Sequence, residues 1–359
     1  MNEDLEKLRL EIEEIDRKIL SLINQRALLA IKIGEIKKEN NISTLDILRE
    51  NEILKKLEIL NQGPLPSTAV VNIFKDIISF IRNLEENLKI GFLGPAGSFT
   101  HQAAIKFFGK GGNFISFPSV ENVFHSMEIN EIDYGVVPIE NSLEGTVGIT
   151  LDLLVETTLR VIGEVYLPIQ HCLLSLEDSL EKIERVYSHP QALAQCKKWL
   201  KENLPKVQEI PTDSTSHGAI LAKEDPKGSA IASSLAGEIF GLKILAKNIQ
   251  DSWYNRTRFF VLGKEKIKPS GKDKTSIIFT VKHKAGALFR ALKPLHDFNI
   301  NMTLIQSRPV KSSPFQYLFF VDFQGHCEDE KVKKALNLMK EECLSFKILG
   351  SYPEAENDL

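Results

Sequence analysis

Lys89-Ile90-Gly91-Phe92-Leu93-Gly94-Pro95-Ala96-Gly97-Ser98-Phe99-Thr100-His101 is the stretch on which the reading of this chain turns. A short apolar strand runs into a glycine-rich turn, and the turn opens a helix. Before Lys89 no convincing strand occurs. After it, strand-like and helical runs alternate. Strand candidates are Tyr134 to Ile139, Leu159 to Val165, Gln170 to Ser175, Ala230 to Ser233 and Arg258 to Gly263. That order predicts an α/β unit over residues 89–264.

Upstream, residues 1–88 read as all-α. Leu8, Ile12, Ile15, Ile19, Leu22, Leu29, Ile33 and Ile36 form a helical seam with alternating spacings of four and three. A helix of ~45 Å is too long for a lone small domain. It predicts a packing partner, a second copy of the chain. A second helix is expected from Thr44 to Asn61. Gly63-Pro64-Leu65-Pro66 breaks it, and a third runs from Ser67 to Glu86. Where the seam calls for a hydrophobe between Leu22 and Leu29, the chain has Arg26. Two readings stay open: a snorkelling arginine at a helix edge, or a cation awaiting a carboxylate. Lys37 lies about 20° round the helix from Arg26, on the same face. Arg9 is ~25 Å up the helix and about 100° round it, within reach only of a partner's site in an antiparallel dimer. Asp46, Arg49 and Glu50 cluster on the second helix, where the plain reading is a solvated face.

Downstream, Lys264 to Lys274 is charged, holds Pro and Gly, and reads as a linker. Residues 275–355 then follow the order βαββαβ. The strands are Thr275 to His283, Asn301 to Val310, Phe315 to Gln324 and Phe346 to Tyr352. The helices are Gly286 to Phe298 and Asp329 to Glu342. This is the α+β ferredoxin-like arrangement. A length of 359 residues suits such a multidomain chain.

Composition excludes several function classes. Net charge is −3 with no long basic block, so nucleic-acid binding has no electrostatic footprint. Cys172, Cys196, Cys327 and Cys343 form no metal-ligand spacing and read as free thiols in a reducing compartment. Met1 to Glu14 is acidic, with no apolar leader core. No apolar run approaches the ~18 residues of a membrane span. A cytoplasmic protein without metal or cofactor is expected.

The middle segment carries four polar helix openings. They are the turn at Gly94, the run Pro138-Ile139-Glu140-Asn141-Ser142-Leu143-Glu144-Gly145-Thr146, Ser188-His189-Pro190-Gln191-Ala192, and Asp213-Ser214-Thr215-Ser216. Each alone is capping chemistry. Together they suggest a crevice lined by N–H donors and suited to a dianion. Asp251 to Phe259 (DSWYNRTRF) then enters a strand, with Thr257 where sheet ends gather ligands. His189, at a helix start, reads as structural before it reads as a general acid. His171, on an apolar strand, reads as a satisfied core histidine.

These motifs resemble three families in series. The GPxGSF turn, the Pro-Ile-Glu-Asn-Ser-x-x-Gly run, Ser-His-Pro-Gln-Ala and Thr-Arg-Phe resemble prephenate dehydratases across Gly91 to Gly263. The resemblance implies two α/β lobes around a cleft, like periplasmic binding proteins, and loss of CO₂ and hydroxide from prephenate to give phenylpyruvate. Aromatisation drives that reaction, so the enzyme must mainly help the hydroxyl leave. By the resemblance Thr257 is the reactive-centre donor, Arg258 a charge stabiliser and Phe259 a ring contact. Asn141, Ser142, Thr146, Ser188, Gln191, Ser214 and Thr215 are the candidate binding groups.

Residues 1–88 resemble the all-helical chorismate mutases at Arg9, Arg26, Lys37, Asp46, Arg49, Glu50 and Glu85. That implies a pericyclic rearrangement of chorismate to prephenate, with no nucleophile. Arg26 and a partner's Arg9 would bind carboxylates, Lys37 and Glu85 address the ether oxygen, and Glu50 with Asp46 take the ring hydroxyl. Ile81 stands where some members have a small polar residue. Glu85 donates only when protonated, so mutase activity is expected to fall as pH rises.

The last segment resembles the phenylalanine-binding ACT domain at Gly286-Ala287-Leu288 and Gln306-Ser307-Arg308, with Gln306 replacing the usual Glu. Pairing between subunits and feedback by L-phenylalanine are implied, and with them a role in phenylalanine biosynthesis. Two rivals stand beside this reading. One is a non-enzymatic small-molecule sensor, which needs neither Thr257 nor Arg26. The other is a dehydratase whose helical segment serves only for dimerisation, against which Arg9, Arg26, Lys37 and Glu50 argue.

Overall fold

The computed structural model describes residues 2–40, 42–309 and 317–355. The chain divides into two compact units: residues 1–88 with 108–113, and residues 89–107 with 114–359.

The first unit is built on three helices, α1 (Asn2–Glu39), α2 (Ile47–Leu60) and α3 (Ser67–Glu85). Asp46 caps α2, its carboxylate accepting from the Arg49 N–H at 3.0 Å. Both α1 and α2 pack on α3. The α1 face with reduced exposure carries Ile23, Arg26, Ala27, Ala30, Ile31, Gly34 and Lys37. Small residues let the helices approach: a Cβ on Gly34 would sit 3.0 Å from the Glu85 Cβ. The leucine-rich seam is a different face. Leu22 and Leu29 are each 62% exposed, and Leu8, Ile12, Ile15, Ile19, Ile33 and Ile36 are exposed with them. Burying such side chains is worth ~1.5 kcal/mol or more each. The seam is therefore unspent within this unit.

The second unit opens with a sheet in the order β2-β1-β3-β11-β5, with β4 paired to β3. Its elements are β1 (Lys89–Leu93), α4 (Phe99–Phe108), β2 (Asn113–Phe117), α5 (Val120–Glu128), β3 (Tyr134–Asn141), β4 (Gly145–Thr146), α6 (Gly148–Glu156) and β5 (Arg160–Pro168). A second sheet follows, ordered β10-β6-β9-β7-β8. It is built from β6 (Cys172–Ser175), β7 (Arg185–Ser188), α7 (Pro190–Gln195), α8 (Lys197–Asn203), β8 (Gln208–Pro211), α9 (Thr215–Glu224), β9 (Gly228–Ala232), α10 (Ser234–Phe240) and β10 (Lys243–Ala246). Then β11 (Arg256–Gly263) returns to the first sheet, antiparallel between β3 and β5. The chain thus crosses between lobes twice, through residues 169–171 and 247–255. The expected two-lobed α/β form is present.

The third sheet is antiparallel, ordered β13-β14-β12-β15. Its elements are β12 (Asp273–Thr280), α11 (Ala287–Asp297), β13 (Met302–Pro309), β14 (Tyr317–Gln324), α12 (Glu330–Glu342) and β15 (Ser345–Pro353). This is the expected βαββαβ order. Val310 and Phe315, expected strand ends, lie outside the described residues. One face of this sheet packs on its own helices through Phe279, Ala291, Phe323 and Met339. The other shares a core with the first lobe, where Ile278, Phe320, Leu349 and Tyr352 meet Val137, Leu154, Val161 and Phe260. The linker expected to reach Lys274 ends earlier. Asp273 and Lys274 already belong to β12 and are buried.

Candidate active sites

In the helical unit, α1 supplies Arg26 and Lys37, α2 supplies Glu50, and α3 supplies Glu85. Glu85 is half-buried. Its carboxyl is pushed above the ordinary range chiefly by burial, with Glu50 adding and Lys37, Arg82 and Arg26 opposing. One carboxyl therefore senses cations from two helices. Lys37 Nζ donates to the Thr44 carbonyl at 3.0 Å. Arg82 escaped the sequence reading, since at the end of a helix it looks like an ordinary dipole-matching residue. It is 5% exposed, pairs with Glu50 at 2.5 Å and donates to the Phe108 carbonyl. Glu50 is thus held on its inner side. Arg49 is exposed and turns to Glu52 at 3.1 Å, apart from this cluster. Arg9 lies on the exposed half of α1, as its distance along the helix requires.

In the cleft, the register of β11 sets Thr257 opposite Asn141. The Asn141 Oδ1 accepts from the backbone N–H groups of Leu143 at 2.9 Å and Glu144 at 3.1 Å. Its Nδ2 donates to Thr257 Oγ1 and to Asn255 Oδ1, both at 2.9 Å. A threonine oxygen that accepts there keeps its own O–H free to donate elsewhere. Asn255 Nδ2 passes to Gln195 Oε1 at 3.1 Å, and His171 Nε2 reaches the same oxygen at 3.0 Å. Neither Asn255 nor Gln195 stood out in the sequence. Gln195 closes the short helix that Gln191 opens, and its position seven residues after Ser188 was the available signal.

Several expectations need correction. Strand alternation sends Arg258 to the face opposite Thr257. Arg258 is 3% exposed and pairs with Glu164 at 2.6 Å and with Asp322, while its Nη2 donates to the Tyr352 hydroxyl at 3.1 Å. Lys274 joins through Glu164 at 2.7 Å. Two cations and two carboxylates close a buried cluster between β11, β5 and the third sheet, so Arg258 is not poised over the cleft. Phe259 is likewise buried and presents no free face to a ring. Ser188 is fully buried and donates to the Ile231 carbonyl at 2.6 Å, a structural use. Ser142 donates to the Tyr254 carbonyl at 2.8 Å and accepts from the Arg256 N–H at 3.0 Å, fastening the second crossover. His171 is not fully satisfied, since its buried Nδ1 has no partner.

Other assignments need less change. His189 caps α7, its Nδ1 accepting from the Gln191 N–H at 3.3 Å. Ser214 caps α9 through the His217 N–H at 3.0 Å. Thr146, Gln191 and Thr215 are partly exposed. At the glycine turn, His101 stacks on Phe92 with centroids 4.3 Å apart and accepts from the Gly97 N–H at 3.2 Å. Burial drops its pKa to about 4, so it stays neutral. Gly97 carries φ +81°, and a Cβ there would meet Ala236 Cα at 2.9 Å, which only glycine avoids.

In the third sheet, Gly286 caps α11 with φ +73°, followed by buried Ala287 and half-buried Leu288. Gln306, Ser307 and Arg308 lie on edge strand β13. Arg308 reaches across to Asp152 on α6 at 3.5 Å. From β15, Lys347 Nζ donates to the carbonyls of Leu154 at 2.8 Å, Val155 at 3.0 Å and Thr157, closing the C-terminal end of α6.

Comparison with known proteins agrees segment by segment. Residues 8–86 match the chorismate mutase type II family, residues 90–267 the prephenate dehydratase family, and residues 275–337 the ACT domain family. A bifunctional chorismate mutase/prephenate dehydratase of Aquifex aeolicus is 47% identical over 98% of this chain and 99% of its own length. A prephenate dehydratase of Arthrobacter aurescens, solved in complex with L-Phe, is 32% identical with a TM-score of 0.69, covering 74% of this chain and 90% of that one. A solved chain described as GqqA, a novel type of quorum quenching acylase, is 28% identical at the same TM-score, covering 74% of this chain and 98% of that one. With chorismate mutase, prephenate dehydratase and ACT domains in one order along its whole length, the chain belongs to the bifunctional chorismate mutase/prephenate dehydratase family.

Proposed function

We propose that Thr257 aids departure of the ring hydroxyl in the dehydratase cleft, and that Arg26, Lys37 and Glu85 carry the mutase reaction. Membership of the family makes the chain an enzyme of phenylalanine biosynthesis. It rearranges chorismate to prephenate, then decarboxylates and dehydrates prephenate to phenylpyruvate, under feedback by L-phenylalanine.

The single observation that carries the dehydratase assignment is the Asn141 to Thr257 bond at 2.9 Å. Its polarity turns the threonine hydroxyl into a donor. A threonine is too weak an acid to protonate a leaving group outright, so Thr257 orients and relays. Arg258 has no part in this chemistry. Its cluster serves structure and joins the strand of Thr257 to the ACT domain. Thr146, Gln191, Ser214 and Thr215 remain the proposed binding groups beside Asn141.

In the mutase site, Arg26 takes a substrate carboxylate and Lys37 with protonated Glu85 stabilises charge on the breaking ether oxygen. Glu50, braced by Arg82, takes the ring hydroxyl with Asp46. Arg9 completes the site of a second copy. The exposed α1 seam and the open edge of β13 supply the surfaces for a homodimer. The free cysteines suit a cytoplasmic setting.

One assay tests the whole reading. Purified protein is given chorismate, and chorismate loss and phenylpyruvate gain are followed together. Arg26→Ala should stop the first step while sparing turnover of added prephenate. Thr257→Ala should stop only the second. Loss of both activities in either variant would refute the division of labour.

A further inference from the structure

We propose that His171 is a positioning residue for the dehydratase reaction, locking the Gln195 carboxamide so that its Nε2 is presented to the substrate. This rests on the cleft reading given above.

The direction of every bond in the network follows from one fixed end. Backbone N–H groups only donate, so the Asn141 atom facing Leu143 and Glu144 is Oδ1. Asn141 Nδ2 must then donate to Asn255 Oδ1. That leaves Asn255 Nδ2 as the donor to Gln195 Oε1. An amide oxygen only accepts, so His171 Nε2, 3.0 Å away, carries the ring proton. Two donors on Oε1 hold the Gln195 amide against a flip. Its Nε2 then points elsewhere and has no partner among the described residues. Gln195 is half-buried, and its oxygen is two hydrogen bonds away from Asn141, which holds Thr257.

The backbone explains why the histidine can serve as an anchor. His171 ends the first crossover between the lobes. Its N–H donates to Gln250 Oε1 at 2.9 Å, and its carbonyl accepts from the Ile249 N–H at 3.0 Å, both on the second crossover. Phe99 meets the ring edge-on at 5.5 Å. The side chain is 2% exposed, with Nδ1 unpartnered. With the proton on Nε2, Nδ1 carries only a lone pair, and no N–H donor is left stranded there. Burial lowers the basicity of the ring, while its bond to Gln195 opposes this. A neutral ring with one directed donor is what fixing a neighbouring amide requires.

The test is steady-state kinetics on the full chain with prephenate supplied. His171→Phe keeps a buried ring and removes the donor. Dehydratase kcat/KM is expected to fall about tenfold, the worth of one directing hydrogen bond. His171→Gln places an amide nitrogen where Nε2 stood and should return activity to within about threefold. In a Gln195→Leu background, His171→Phe should add less than about twofold, because the two residues act through one contact. Should the phenylalanine variant fail to fold, His171→Asn takes its place, being too short to reach Gln195.

The proposal is overturned if the donor-less variant is fully active. It is equally overturned if His171→Gln is as poor as that variant, or if the tenfold loss persists on top of Gln195→Leu. If Thr257→Ala and Gln195→Leu themselves leave dehydratase activity intact, the cleft reading falls and takes this role with it. If those two abolish activity while His171→Phe is silent, only the role of His171 falls.

Discussion

In the helical unit Glu85 stands among Lys37, Glu50, Arg82 and Arg26, every one charged. In the cleft Thr257 stands among Asn141, Asn255 and Gln195, every one neutral. The difference follows the two reactions. A pericyclic rearrangement has no proton to hand over, so its catalyst supplies a field around a compact dianion. Loss of CO₂ and hydroxide is driven by aromatisation, so its catalyst supplies aim. The cleft strand does carry charge, but on its far face, where Arg258, Glu164, Lys274 and Asp322 neutralise one another. On the reading proposed above, neutral donors would face the leaving hydroxyl while the ionic cluster closes on itself on the other side of the strand.

That contrast can be broken from its ionic side first. Arg258→Ala leaves Asp322 and Glu164 buried with less compensation. It should cost about 3–5 kcal/mol of stability in the second unit, read as a lowered denaturation midpoint. The folded fraction should still turn over prephenate, and a stable but inactive variant would restore Arg258 to the chemistry. Next, Asn141→Asp places a carboxylate where Thr257 now receives a donor. Dehydratase turnover should drop on the order of 100-fold, with chorismate loss unchanged.

The third test concerns the missing arginine. Chains carrying Arg9→Ala and chains carrying Arg26→Ala should each be mutase-dead. Mixed and allowed to exchange, they should recover roughly a quarter of wild-type activity, because half the dimers regain one site. No recovery would mean that Arg9 serves its own chain or none. The smallest effect is on pH. The Glu85 carboxyl is raised chiefly by burial, so its donating form persists above the ordinary glutamate range and is lost as pH climbs through the raised pKa. Mutase kcat/KM should therefore decline with rising pH, and Glu85→Gln should flatten the profile. An unchanged curve in that variant would remove Glu85 as the donor.

Fold and motifs were largely legible because they rest on local rules. Helical period, strand alternation and turn chemistry marked the three segments, the helical unit and the last sheet. In the middle segment the short strands β2, β7, β8 and β10 and the helices α5, α8 and α10 went unmarked. What stayed hidden depends on which way a side chain points. Thr257 and Arg258 are neighbours in sequence and opposites in space, and the period-2 rule already stood against giving both to one cleft. Lys274 looked like linker charge because its partner Glu164 is far away in the chain. The seam of α1, expected to pack on a second copy, lies exposed within the chain. The face used within the chain, with Ala27, Ala30 and Gly34, was too small-sided to announce itself.

The grip of the ACT domain on α6 has a practical side. An engineer seeking a feedback-free enzyme would cut the chain between Lys264 and Asp273. The cut would uncover Phe260 and Val161, take Asp322 from Arg258 and Lys274 from Glu164, and unstopper the carbonyls of Leu154, Val155 and Thr157. Deletion is therefore expected to lower the denaturation midpoint of the lobes that remain, whereas point changes on the ligand side leave the joint whole.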